Sequence, residues 1–132
     1  MKKIVFLLTL VALVGFVSEV MAQPASGKPQ EAVLYIVKSV VSSEYVNQFD
    51  EWYHKKHIPE FIKVSGCKTG RRFKTILPED KYMYMAIYEF SDKETFLKYQ
   101  SSEGKKVLLK DFSDNFAGKA ELKASAWEQI FP

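Results

Sequence analysis

Between residues 32 and 131 the apolar positions switch between continuous runs, helical spacing and strict alternation, and each switch marks an element. AVLYIVKSVV, residues 32–41, is a β-branched and aromatic run that predicts a strand buried on both faces. Ser42 or Ser43 can cap the next element, with Glu44 in its first turn. Tyr45, Val46, Phe49, Trp52 and Tyr53 then recur at helical spacing, spanning about −60° to +60° around Phe49 on a helical wheel. Pro59 is expected to stop this helix near His57, because proline lacks a backbone donor and disfavours helical geometry at Ile58. A second helical turn can restart at Pro59 and end at Ser65-Gly66. CKTGRRFKTI (67–76) predicts a second strand, LPED (77–80) a turn, and YMYMAIYEF (82–90) a third strand. Alternation places Tyr82, Tyr84, Ala86, Tyr88 and Phe90 on one face of that strand and Met83, Met85, Ile87 and Glu89 on the other.

Ser91 or Asp92 can cap a second helical region carrying Phe96, Leu97 and Tyr99; Ser101 to Gly104 interrupts it. Val107, Leu108, Phe112 and Phe116 continue the helical repeat until Gly118, and residues 119–131 alternate as a fourth strand. The order β-α-β-β-α-β predicts an α+β, ferredoxin-like domain: four antiparallel strands with helices on one face. The other sheet face would be bare, and either the tyrosine set or the methionine–isoleucine set of residues 82–90 would lie on it. Exposing such a face is costly, so burial predicts a homodimer packed sheet to sheet.

Upstream of this pattern, Lys2 and Lys3 precede an apolar run from Ile4 to Val17, then Val20-Met21-Ala22. The arrangement predicts a secretory leader over residues 1–22, cut after Ala22, and a periplasmic or secreted mature protein without a stable membrane anchor. Residues 23–31, with Pro, Gly and small polar side chains, form a lead-in, and residues 32–132 form the single folded domain. The formal charge of the chain is +3, with no concentrated basic stripe, which argues against a nucleic-acid partner. Cys67, the only cysteine, cannot form an internal disulfide; it is expected as a small buried hydrophobe.

Candidate chemistry concentrates in WYHKKHIPEFIKVSGCKTGRRFK, residues 52–74. His57 lies about 80° from Phe49 on the wheel, at the edge of the buried stripe, whereas His54 at about 140° turns to solvent. Two histidines that diverge in this way do not make a metal site, and no metal or other cofactor is expected. No phosphate loop, dinucleotide fingerprint or Gly-x-Ser-x-Gly nucleophile motif is present. His57 can transfer protons near neutral pH, and at a helix C-terminus its cationic form would be favoured. Alternatively, its imidazole bonds a carbonyl exposed by Pro59 and locks a corner. Arg71 and Arg72 must face opposite sides of their strand; the inward one can orient a carboxylate or an enolate-like oxygen, or either can pair with Glu89 or Glu128. Trp52, Tyr53, Tyr35, Tyr82, Tyr84 and Tyr88 can line an aromatic ligand pocket with phenol anchors, or serve as core and interface.

Trp52, His57, Pro59, Gly66 and Arg71 or Arg72, followed by YMAIYEF, resemble the EthD-like branch of the dimeric α/β-barrel superfamily over roughly residues 32–131. The resemblance implies two ferredoxin-like subunits joining their sheets into a barrel. The superfamily includes cofactor-free monooxygenases, isomerases, polyketide cyclases and dehydratases, haem-handling enzymes and proteins without an assigned activity. Two functions are consistent with this. One is cofactor-independent oxygenase, lyase or isomerase chemistry on a small hydrophobic or aromatic, carbonyl-bearing compound, with His57 moving the proton. The other is a non-enzymatic ligand-binding or structural module.

Overall fold

The computed structural model describes residues 31–131; the expected leader and nearly all of the lead-in lie outside the described residues. Strands β1 (Val33–Val41), β2 (Thr69–Lys74), β3 (Tyr84–Phe90) and β4 (Ala120–Glu128) form one antiparallel sheet in the order β2-β3-β1-β4. This is the ferredoxin-like order that the β-α-β-β-α-β pattern predicts.

The register decides which residues share a face. Val33, Tyr35 and Val37 of β1 oppose Phe90, Tyr88 and Ala86 of β3, and this set faces the helices. Leu34, Ile36 and Lys38 oppose Glu89, Ile87 and Met85 on the other face. The bare face therefore carries Met85 and Ile87, while Tyr88 goes inside with Tyr84. In the single chain β1 is covered on one side only, so its second apolar set remains partly exposed.

The first helical region differs from its expected form. A 3₁₀ turn (Ser43–Tyr45) leads into α1 (Val46–Trp52), then a π-helical turn (Tyr53–His57), then α2 (Ile58–Ser65) without a break. Ile58 N–H donates to the Tyr53 carbonyl, five residues back. Pro59 does not stop the helix. In a regular α-helix its ring would press on the carbonyl of Lys55, and the widened π turn moves that carbonyl aside. The turn also has a packing consequence. On an unbroken wheel Phe61 would sit about 120° from Phe49, off the buried stripe; one extra residue sets it back by about 100° and returns it to the core. Phe61 is accordingly buried. Gly66, at φ 73°, ends α2 in the left-handed conformation that glycine adopts at least cost.

Helix α3 (Lys93–Gln100) is capped by Asp92, whose carboxylate accepts the Thr95 N–H at 2.7 Å. Helix α4 (Glu103–Phe116) is capped by Ser102, whose hydroxyl accepts the Lys105 N–H at 3.2 Å. The core between sheet and helices is dominated by aromatic rings, with Phe49, Tyr53, Tyr88, Phe90 and Phe116 almost wholly buried. Cys67 is buried and free. No described helix is long and apolar enough to cross a membrane.

Candidate functional site

β2 is an edge strand, and residues 70 and 72 are those it turns toward the helices. Gly70 pairs with Tyr88, and Arg72 with Ala86. A Cβ on Gly70 would lie 3.0 Å from Ile58 Cγ2 and 3.1 Å from the Tyr88 ring. The missing side chain lets α2 settle onto the strand and keeps Tyr88 close to the bulged helix.

Arg72 resolves the ambiguity between the two arginines. Its side chain is only 6% exposed, and Nη1 forms an ion pair with Asp50 of α1. The guanidinium carbon lies over the rings of Tyr53 at 4.5 Å, Tyr84 at 4.8 Å and Phe49 at 5.3 Å. Desolvating a guanidinium is unfavourable, and one carboxylate with three aromatic faces offsets that cost. Nη2 is buried and finds no hydrogen-bond partner among the described residues. Arg71 points the other way: it opposes Ile87 on the bare face and lies 6.0 Å over Phe73.

His57 stacks on Trp52 at 4.4 Å, meets the edge of Tyr53 at 5.0 Å and lies 6.0 Å from Phe61. Burial lowers its pKa to about 4, against the pull of the Asp111 carboxylate and with a small push from Lys56. The imidazole is therefore neutral at pH 7. The helix continues through this residue, so no C-terminal dipole favours the cation here. Nδ1 is buried without a partner among the described residues. The expected corner hydrogen bond from this nitrogen is not made.

Tyr88 supplies a third atom of this kind. Its ring stacks on Phe61 at 3.6 Å, and its hydroxyl is buried without a partner among the described residues. Burial raises its pKa strongly, and neighbouring Tyr53 adds to the shift. Tyr53 stands between the groups, with Arg72 over its face and His57 at its edge. Trp52 is held by a 2.9 Å hydrogen bond from Nε1 to Asp111 Oδ2, whose other oxygen accepts from Lys56 at 2.7 Å.

The structure thus brings His57, Trp52, Tyr53, Arg72, Tyr84 and Tyr88 together around the bulged helix and the β2–β3 edge. Tyr35 is only partly buried, packed against Phe61, Phe96 and Tyr99. Tyr82 is not part of the cluster. Strand β3 starts at Tyr84, so the alternation does not extend to it, and its hydroxyl donates to Glu121 at 2.6 Å. His54 is exposed, as the wheel indicates. Asp50, Phe61, Gly70 and Asp111 were not legible as site residues: Phe61 needs the π turn, and the other three act through long-range contacts.

A cavity of 260 Å³ lies elsewhere, at one end of the bare face, lined by Lys38, Phe73, Lys74, Tyr82, Met83 and Met85 among others. Its walls lack the buried, unmatched polar atoms of the His57 cluster, which for that reason is the better candidate for chemistry. Among the described residues no three His, Cys, Asp or Glu side chains converge as metal ligands.

The fold and the aromatic interior define an α+β protein of the ferredoxin-like class. A family profile described as "Domain of unknown function (DUF4286)" matches residues 32–129, and the chain belongs to that family. No curated protein matches it. Among solved structures it is similar to an EthD family protein from Bacillus halodurans, with 17% identity and a TM-score of 0.55, covering 73% of this chain and 97% of that one. It is also similar to a DABB family protein with a ferredoxin-like fold from Mesorhizobium loti, with 13% identity, TM-score 0.53, and coverage of 77% and 100%. A variant of SnoaB, a cofactor-independent oxygenase from Streptomyces nogalater, aligns with 11% identity, TM-score 0.57, and coverage of 76% and 95%. At these identities the likeness establishes the fold.

Proposed function

We propose that the chain is an exported, homodimeric barrel protein that takes a small hydrophobic or aromatic, carbonyl-bearing compound between the bulged helix and the β2–β3 edge, and that His57 moves a proton on it. The observation that carries this reading is the gathering of three buried, unpartnered polar atoms, His57 Nδ1, Arg72 Nη2 and Tyr88 Oη, within one aromatic shell. Buried polar groups are almost always hydrogen-bonded, so a cluster of exceptions points to an absent partner. The similarity to a cofactor-independent oxygenase supports the class of chemistry, and the Lys2-Lys3 start with its apolar run supports export.

The chemistry follows from the charges. Neutral His57 accepts a proton from an acidic carbon or hydroxyl of the ligand, becoming imidazolium, and the Asp111 carboxylate favours that cation. The electron pair left behind collects on the carbonyl oxygen as an enolate. Arg72 Nη2 and the Tyr88 hydroxyl can donate to the ligand's oxygens as this charge spreads over them, without first giving up a partner. Such a step is shared by isomerase, lyase and cofactor-independent oxygenase reactions. Because the interior is packed, entry requires side chains to move, and edge strand β2, paired on one side only, borders the cluster.

Native mass spectrometry of protein purified from an exporting host, followed by deuterium exchange of the bound compound, tests this. A dimer carrying a reproducible small-molecule mass is expected, with exchange at its acidic carbon slowed by about 10²-fold or more in His57→Gln. Equal exchange rates with the ligand retained would remove His57 from the chemistry. The 3.6 Å stack of Phe61 on Tyr88 favours a second reading, a structural module whose interior is filled by its own rings. A clean dimer without added mass, with His57→Ala costing about 1–3 kcal/mol of stability, would support that alternative.

A further inference from the structure

Arg72 also bears on which compound the site takes. A buried guanidinium can be approached above its plane, below it, or along its edge. The rings of Tyr53, Tyr84 and Phe49 lie within 5.3 Å of its carbon. Along the edge, Nη1 is occupied by Asp50. Nη2 remains, with its N–H donors buried and unmatched among the described residues. Asp50 does not neutralise the fork as a fully buried partner would, because its side chain is 37% exposed and its charge is screened by solvent. The Tyr88 hydroxyl, wholly buried, and His57 Nδ1 are the other unmatched atoms around Tyr53. Arg72 Nη2 and the Tyr88 hydroxyl can donate a hydrogen bond, the neutral imidazole offers Nδ1 as acceptor when it serves as the base, and only Arg72 carries a fixed charge.

From this geometry we infer that the site selects a singly charged organic anion, an aromatic or conjugated compound whose carboxylate or comparable oxyanion accepts from Arg72 Nη2 and takes the Tyr88 hydroxyl as its second donor. The inference rests on the ligand-site reading above and adds the charge of the ligand. Charge follows from the donors. An anionic acceptor makes a charge-assisted bond to Nη2, roughly twice as strong as the bond a neutral carbonyl makes. A tetrahedral dianion such as phosphate does not fit: a single in-plane nitrogen, one hydroxyl and a neutral imidazole leave most of its acceptors and its second charge unmatched.

The probes are 2-naphthoate and 2-naphthamide, nearly the same shape but differing in charge, titrated into the purified protein while the His57 ring signals are followed by NMR. The naphthoate is expected to bind about tenfold tighter than the amide, which corresponds to the gain of one charge-assisted bond. Arg72→Met should reduce that preference to less than about threefold, and Tyr88→Phe, which leaves the charge in place, should weaken naphthoate by about three- to tenfold. Should Arg72→Met fail to fold, the wild-type preference and Tyr88→Phe decide the matter. Equal affinities, or a preference that survives Arg72→Met, would overturn the anion assignment. If the neutral amide still shifts the His57 signals, the ligand site stands and only its charge selectivity falls. If neither probe shifts them, both fall.

Discussion

His57 responds to pH in a direction set by its surroundings. Its pKa is about 4 in the folded chain against an ordinary value of 6.5, because Trp52, Tyr53 and Phe61 exclude the water that would solvate a cation. Between those values the unfolded chain binds a proton that the folded chain refuses. Stability therefore falls as pH drops from 6.5 toward 4 and gains nothing further from this group above 6.5. The full effect is about 3 kcal/mol as an upper bound. Denaturant titrations at pH 7 and pH 4.5 should show wild type losing stability over this window and His57→Gln losing distinctly less. The comparison isolates the histidine from Glu51, Asp92, Asp111 and Glu121, whose lowered pKa values add their own losses at acid pH. Parallel curves for the two proteins would mean that His57 is solvated in the native state.

Among the elements, the bulged helix and edge strand β2 depend on each other. The π turn rotates Phe61 onto Tyr88, and Gly70 leaves the space in which Ile58 and Tyr88 meet. Gly70→Ala would put a methyl group 3.0 Å from Ile58 Cγ2 and 3.1 Å from an aromatic ring that is itself wholly buried. Neither neighbour is the free end of a flexible side chain. The expected cost is about 1–3 kcal/mol in a thermal or chemical melt, with shifts in the Tyr88 and His57 signals. An unchanged melt would show that the helix sits further from the strand. The approach is also what brings Arg72 and His57 to the same tyrosine, so loss of stability and loss of ligand binding should accompany each other in this variant.

At the scale of the whole molecule, the bare sheet face is the feature a single chain leaves unresolved. Leu34, Ile36, Met85 and Ile87 are only partly covered, and Phe73 and Trp127 on the same face are 42% and 62% exposed. A second copy packed sheet to sheet, as proposed, would bury them. Ile87→Glu places a charge at the centre of this face, opposite Ile36 and Arg71. Sedimentation should show wild type as a dimer and Ile87→Glu as a monomer with an unchanged far-ultraviolet circular dichroism spectrum. A monomeric wild type would remove the dimer, and an Ile87→Glu dimer would place the contact elsewhere.

What local sequence carries is the succession of elements. Alternation along YMYMAIYEF, the helical repeat before Pro59, and the Asp92 cap depend on neighbours a few residues apart, so the ferredoxin-like order can be read without the fold. His57 at the edge of the buried stripe is legible for the same reason. The remainder depends on contacts between distant segments. Pairing across the sheet put Arg72 inside and Arg71 outside, a choice that alternation alone leaves symmetric. The start of β3 at Tyr84 removed Tyr82 from the cluster, because the ladder and not the apolar pattern ends the strand. Tertiary packing replaced a helix break at Pro59 with a π turn: a proline tolerates that geometry, and it turns Phe61 into the core. A residue's type and its near neighbours set which element it joins, whereas the solvent and charge around its polar atoms, and hence its chemistry, are set by segments that meet only in the folded chain.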